Sequence, residues 1–294
     1  MVGGIRLFRK MSIFSVINTF LLLLLVLVTL YPFIYMISIS LSGSIYVMRD
    51  EVSWFPKGLN FKMYDIVLSD PRILWAYLNT ILYVSVGTSL SLLVTSLGAY
   101  ALSKKELIFR KGFTLYIVFT MFFSGGMIPT FLVVKELGIM DTIWAMVLPT
   151  LVSAWLLWIM RTFFSNLPIE LEEAARIDGV GELGIFFRIV IPLSNAAFAT
   201  IGLFYAVSMW NNFMLPLLYL RDSDLFPLQV ILRNIVIAGQ FDNAQSSGVG
   251  LDNMVIQESL KYAAIIVSTI PILIVYPFLQ KYFTQGIMVG SIKG

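Results

Sequence analysis

The chain has no cysteine and no histidine, and only 13% of its 294 residues are charged. Without thiols there are no disulfides and no cysteine nucleophile. Without either residue type, Cys/His zinc sites and histidine acid–base chemistry are excluded as well. No Gly-Lys-Ser or Gly-Lys-Thr occurs, so the chain carries no phosphate-binding loop of its own. If ATP drives it, a partner must bind the ATP. A soluble domain of this length has roughly a quarter of its residues charged. Here 59% are hydrophobic and the mean hydropathy is +0.88, the composition of a polytopic membrane protein. The net charge of +3 is too small to indicate nucleic-acid binding, and basic residues on one side of a bilayer account for it.

Six apolar stretches reach the roughly 20 residues that a bilayer requires. They fall at about 13–38, 77–102, 113–134, 142–162, 194–219 and 260–280. The first contains five consecutive leucines, Leu21 to Leu25, and reads as an uncleaved transmembrane helix, because it is too long for a signal core. The third is interrupted by Ser124-Gly125-Gly126 and Pro129. Such breaks persist in lipid only where protein or water satisfies the freed backbone, so this span is expected to face the bundle interior. An even number of spans puts both termini on one side. The segments on that side hold 12 of the 20 lysines and arginines, with Lys104, Lys105, Arg110 and Lys111 the tightest cluster. The positive-inside rule makes that side cytoplasmic. The long segments 40–76 and 220–259 then face outward, the second with a helix predicted at Pro227 to Ile237.

One polar, charged stretch stands apart on the cytoplasmic side, within 165–192. Pro168 fits a first helical position, and Glu170, Glu172 and Glu173 follow where acids complement the helix dipole. Ala174 and Ala175 are small enough to let another surface approach. Gly179 suits the left-handed conformation that ends a helix, and Pro192 is expected to stop a second one. The spacing Glu173-Ala174-Ala175, Gly179, then Ile189-Val190-Ile191-Pro192 resembles the cytoplasmic signature loop of the membrane subunits of bacterial ABC importers. It departs only at Ile191, where leucine is commoner. An ordinary helical hairpin between spans is the plainer alternative.

Over essentially its whole length the chain is similar to the carbohydrate-uptake permeases of the maltose-permease type, in the branch linked to larger oligosaccharides and polysaccharides. The likeness is carried by Trp54-Phe55-Pro56-Lys57-Gly58, Met127-Ile128-Pro129-Thr130, the signature loop, Trp210-Asn211-Asn212 with Pro216, Pro227-Leu228-Gln229, and the tail from Gln280 to Gly294. The resemblance implies an all-α membrane protein, a single domain over 1–294 with six transmembrane helices in the type I ABC importer permease fold, set in the bacterial cytoplasmic membrane. It implies a second homologous permease, two cytoplasmic ATPases that bind the ATP and magnesium, and an extracytoplasmic sugar-binding protein. The chain itself would hold no cofactor and no metal.

Carried over residue by residue, Glu173, Ala174, Ala175, Asp178, Gly179 and Pro192 would couple to an ATPase groove. Asp178 and Arg176 would either form interface ion pairs or face water. The cytoplasmic tail 281–294 would reach between the ATPases at Gln285 and Gly286, unless it simply lies along the membrane end. Sugars need aromatic faces with amide or hydroxyl partners. Asn79, Trp210, Asn211 and Asn212 supply such groups within or beside apolar spans, although interhelical hydrogen bonding would use them equally well. Trp54 and Tyr64 are available to the binding protein or to the membrane interface, and 227–250 is expected to form part of its landing surface. A secondary transporter would want acids inside the spans, and the span interiors contain none. A permease for another solute, such as a peptide or polyamine, stays open.

Overall fold

The computed structural model describes residues 13–238 and 258–274, and all regular structure among them is helical. The chain forms two compact units, Met1–Ser69 with Ala238–Thr269, and Asp70–Ile237 with Ile270–Gly294.

In the first unit, α1 (Ile13–Ser40) presents its leucine run outward on every side, as a helix bathed in lipid must. Only its last turn is buried, at Ser38, Ile39 and Ser40. Those serines hold the loop that follows: Ser38 donates to the Trp54 carbonyl at 3.0 Å, and Ser40 shares a 2.7 Å hydrogen bond with Tyr64. The loop carries α2 (Ser44–Met48) and α3 (Lys62–Leu68). Trp54 packs on Tyr31 with ring centroids 4.8 Å apart. Gly58 has φ +61° and sits against Tyr46, whose ring a Cβ would meet at 2.5 Å, so only glycine fits there. The Trp-Phe-Pro-Lys-Gly run therefore closes this loop on the end of α1.

The second unit is built on α4 (Pro71–Ser103). It begins six residues before the apolar stretch that hydropathy marks. Asp70 caps it by accepting from the Arg72 amide at 2.9 Å, with Pro71 in the first turn. Around α4 lie α5 (Arg110–Phe122), α6 (Met127–Glu136), α7 (Ile143–Thr150), α8 (Ala154–Ser165), α9 (Ile169–Ile177) and α10 (Glu182–Leu193). After them come α11 (Asn195–Trp210), α12 (Met214–Tyr219) and α13 (Leu228–Ala238). The pairings α4 with α8 and α4 with α11 are the most extensive, and they enclose a core of Tyr100, Leu157, Met160, Phe164, Ile185, Phe186, Ile201 and Tyr205.

Three helix pairs are bent rather than straight. The axis turns by 114° between α5 and α6, by 59° between α7 and α8, and by 85° between α10 and α11. Among the described residues, α1 and α4 are each long and apolar enough to cross a membrane, and up to five spans result if each bent pair counts as one. The stretch at 260–280 is described only in part, as helix 258–274. The expectation that the third span faces the interior is not met within this chain: α5 has no buried residue and α6 only Val134. Hydropathy registers the apolar run but not the turn that Gly126 makes at φ +86°. Asp141 ties two loops together, since its carboxylate accepts from the Arg221 and Asp222 amides while its own amide donates to Tyr219. Those amides hold its carboxyl below the ordinary aspartate range. The helix predicted at Pro227 to Ile237 is present as α13, and Leu228, Val230 and Ile235 on it are buried.

Candidate functional site: the signature loop

Helix α9 starts one residue later than the sequence suggests, with Pro168 as its N-cap rather than its first helical residue. Its end is a Schellman turn: the Gly179 amide donates to Arg176 at 3.0 Å and the Val180 amide to Ala175 at 2.9 Å. Gly179 takes φ +79°, the left-handed value expected from the sequence. A Cβ there would meet nothing within 4 Å, so the cost of any side chain is backbone strain alone. Gly179→Ala should cost about 1–2 kcal/mol locally, Gly179→Asn less, and Gly179→Val more. Hydrogen exchange at the 179 and 180 amides would rank them, and equal protection in all three variants would exclude this account.

The second helix does not stop at Pro192. It runs to Leu193, and the 85° bend follows immediately. Pro192 lacks the amide that would bond one turn back, and the turn just before it widens into a π-helical segment, Phe186–Val190. That segment turns Phe186 and Val190 fully inward, with Phe186 5.2 Å from the Tyr100 ring.

The two alanines divide. Ala174 is exposed, whereas Ala175 is buried and packs within the core shared with Phe164 and Phe186, so its small size serves this chain's own packing. The acids divide too. Glu172 pairs with Lys104 at the end of α4, and their side chains are only 13% and 17% exposed. The Lys104 ammonium also lies 4.2 Å from the Tyr100 ring centre. Tyr100 donates to Glu182 at 2.9 Å, and Arg176 pairs with the same carboxylate at 2.8 Å. Burial pushes the Glu182 carboxyl up, but the Tyr100 and Arg176 hydrogen bonds and the Arg176 charge outweigh it and hold the group below the ordinary range. Arg176 thus binds within the loop, and Glu106 is a second partner at 3.8 Å. Sequence reading missed Tyr100, Lys104 and Glu182 as members of this cluster, since their partners lie up to 82 residues away.

What remains outward is a stripe. Ile169, Glu173 and Ile177 are spaced i, i+4, i+8, which aligns them on one face of α9. All three are exposed, Ile177 to 86%, and Leu183 stands exposed on α10 nearby in sequence. Asp178 caps the helix end and is also exposed. Two large aliphatic side chains around an acid, held on a helix whose inner side is locked, form a ready contact surface.

The residues singled out for a substrate path are engaged differently. The Asn79 amide donates to the Asp224 and Phe226 carbonyls at 2.7 and 3.3 Å, and with Tyr83 and Thr80 it fastens the 224–228 loop to α4. Asn211 donates back to Val207 at 3.0 Å, and Asn212 accepts from the Leu215 amide at 3.2 Å at the start of α12. The Trp210 indole N–H is buried and has no hydrogen-bond partner among the described residues. Gln285 and Gly286, and the stretch 239–250, lie outside the described residues.

Residues 95–289 match the family model for the binding-protein-dependent transport system inner membrane component. The chain is 44% identical over 285 residues to the polygalacturonan/rhamnogalacturonan transport system permease protein YtcP of Bacillus subtilis, covering 97% of this chain and all of that one. It is 31% identical to the trehalose/maltose transport system permease protein MalG of Thermococcus litoralis, covering 92% and 94% of the two. Among solved structures, a bacterial ABC transporter involved in import of the acidic polysaccharide alginate has a chain 37% identical, with a TM-score of 0.88 over 95% of this chain and all of that one. The chain belongs to the family of binding-protein-dependent transport system inner membrane components, and is a permease subunit of an ABC importer.

Proposed function

We propose that this chain is one of two related permeases that carry an oligosaccharide or polysaccharide fragment into the cell by alternating access. Its relatives are named for polygalacturonan/rhamnogalacturonan and trehalose/maltose transport, and its structural neighbour for alginate import, so a saccharide is the shared cargo. In this reading six spans form one membrane domain, both termini are cytoplasmic, and a binding protein outside delivers the sugar. Two cytoplasmic ATPases bind ATP and magnesium, in keeping with a chain that has no phosphate-binding loop.

The observation that carries the reading is the exposed Ile169, Glu173, Ile177 stripe on a loop otherwise locked to α4. The stripe would sit in a groove of the ATPase. When the ATPases close on ATP, the groove moves, and Lys104–Glu172 and Tyr100–Glu182 pass that movement to the membrane helices. Glu173→Lys tests it, because the change reverses a charge at the centre of the stripe without touching the inner contacts. Docking of the ATPases should weaken about tenfold, roughly 1.4 kcal/mol. Co-purification with the ATPases and binding-protein-stimulated ATP hydrolysis in liposomes are the measurements. Wild-type values for both would remove the stripe from the coupling role.

A further inference from the structure

Three helices of the second unit meet near their ends. Helix α4 finishes at Ser103, α5 starts at Arg110 and α8 finishes at Ser165, and the three pack on one another. Two arginines converge there. Arg110 Nε donates to the Leu102 carbonyl at 3.0 Å, and Arg161 Nε donates to the same oxygen at 3.4 Å. Leu102 lies in the last turn of α4, where carbonyls have no partner within the helix. The two side chains therefore cap α4.

Capping uses one donor of each arginine and leaves the rest of each guanidinium fork unused. Neither arginine has a carboxylate partner among the described residues. The acids nearby are already engaged, Glu172 with Lys104, and Glu106 and Glu182 with Arg176. Two like charges thus face one neutral oxygen with no anion between them. Both side chains are half-buried, so salt and water screen them less than they screen a surface pair. A long cation that only snorkels extends singly into water. These two fold back and share an acceptor, which is the arrangement a bridging anion requires.

The surroundings indicate the kind of anion. The Arg161 guanidinium lies 4.8 Å from the ring centre of Trp158, one turn earlier on α8, and indoles favour the headgroup level of a bilayer. Ile108 and Phe109, just before Arg110, and Phe113, just after it, are exposed. A small anion in water offers such side chains nothing, whereas a lipid covers them with its acyl chains. Lys105 and Lys111 are exposed as well and disfavour a headgroup that carries its own ammonium. Basic pockets between helix ends at the membrane surface suit anionic headgroups, and guanidinium forks match the oxygens of a phosphate.

We propose that Arg110 and Arg161 bind the phosphate of an anionic phospholipid, with its acyl chains against the exposed apolar side chains beside Arg110. Phosphatidylglycerol represents the class. Bound there, the lipid staples the start of α5 to the end of α8 at the base of α4. The same segment is joined to the signature loop through Lys104 and Glu106, so the lipid steadies the ground on which that loop stands.

The test uses the assembled importer in neutral detergent with phosphatidylcholine, titrated with phosphatidylglycerol. Native mass spectrometry of this subunit, released from the complex, reads the lipid it retains. Arg161→Gln and Arg110→Gln should each raise the phosphatidylglycerol fraction needed for half-occupancy about tenfold, through loss of a forked, charge-assisted contact. Arg161→Lys keeps the charge and loses the fork, and should raise it about threefold; this milder variant serves if glutamine prevents assembly. Lys105→Gln removes the same charge from an exposed side chain and should alter it by less than about twofold. Equal weakening by Lys105→Gln and Arg161→Gln would reduce the effect to diffuse charge and overturn the site, as would unchanged occupancy in the arginine variants. Millimolar inorganic phosphate at constant ionic strength should leave the lipid in place. Displacement by it would make free phosphate the ligand and overturn the lipid assignment. No step of this test involves transport, so the saccharide-importer reading stands or falls separately.

Discussion

Lys104→Glu is expected to abolish sugar uptake and to lower the melting temperature of the purified permease by several degrees. The substitution replaces a paired cation by an acid facing Glu172, at a place where both side chains are largely withdrawn from solvent. Breaking such a pair costs about 3 kcal/mol, because the partner charge is left buried without compensation. The contact with the Tyr100 ring is lost at the same time. Glu172→Lys added to Lys104→Glu should recover part of the loss, since the pair is restored with its polarity reversed. Recovery should be incomplete, as the new lysine springs from α9 rather than from beside Tyr100. A double-mutant cycle on melting temperature and uptake measures the coupling. If Lys104→Glu alone lies within about 0.5 kcal/mol of wild type, the pair behaves like a solvated surface pair and the link between loop and α4 is lost with it.

Phe186→Ala should be of similar size by a different route. Phe186 is fully buried, tilted against the Tyr100 ring and edge-on to Phe187, and sits in the π-helical turn that aims it inward. Emptying such a site costs about 3–5 kcal/mol. The apolar spans are untouched, so the chain should still insert. The expected signature is a loop that comes away from the bundle: rapid proteolysis around 178–181, a lower melting temperature and little transport. Phe187→Ala is the internal comparison, because Phe187 is exposed and its loss should change melting little. Equal behaviour of the two variants would show that the π-helical turn does not anchor the loop.

Local chemistry was legible in the sequence where the signal was local. Gly179 needed only the rule that a helix ends in a left-handed residue, and α1 only its length. The bends needed more. Apolar composition reads the same along a straight helix and along two halves at 114°, so α5 and α6 merged into one stretch. The asparagines show the opposite limit. An amide in an apolar span demands a partner, but whether that partner is a sugar or a carbonyl 145 residues away, as for Asn79, depends on tertiary placement. The same blindness hid the Lys104–Glu172 pair, since the basic cluster at 104–111 was informative about sidedness and silent about contacts.

Helix α4 also has a mechanical meaning. Its 33 residues run without a break for about 50 Å. Near one end, Asn79, Thr80 and Tyr83 are bolted to the 224–228 loop; near the other, Tyr100 and the cap residue Lys104 are bolted to the signature loop. A rod pinned at both ends transmits a push without delay or intermediate gearing. Among the described residues the helix pairs α5–α6, α7–α8 and α10–α11 are bent, which leaves α4 as the long straight member of this unit. Under the coupling proposed above, a displacement applied to the signature loop would reach the 224–228 loop through one continuous helix, as if carried by a single shaft.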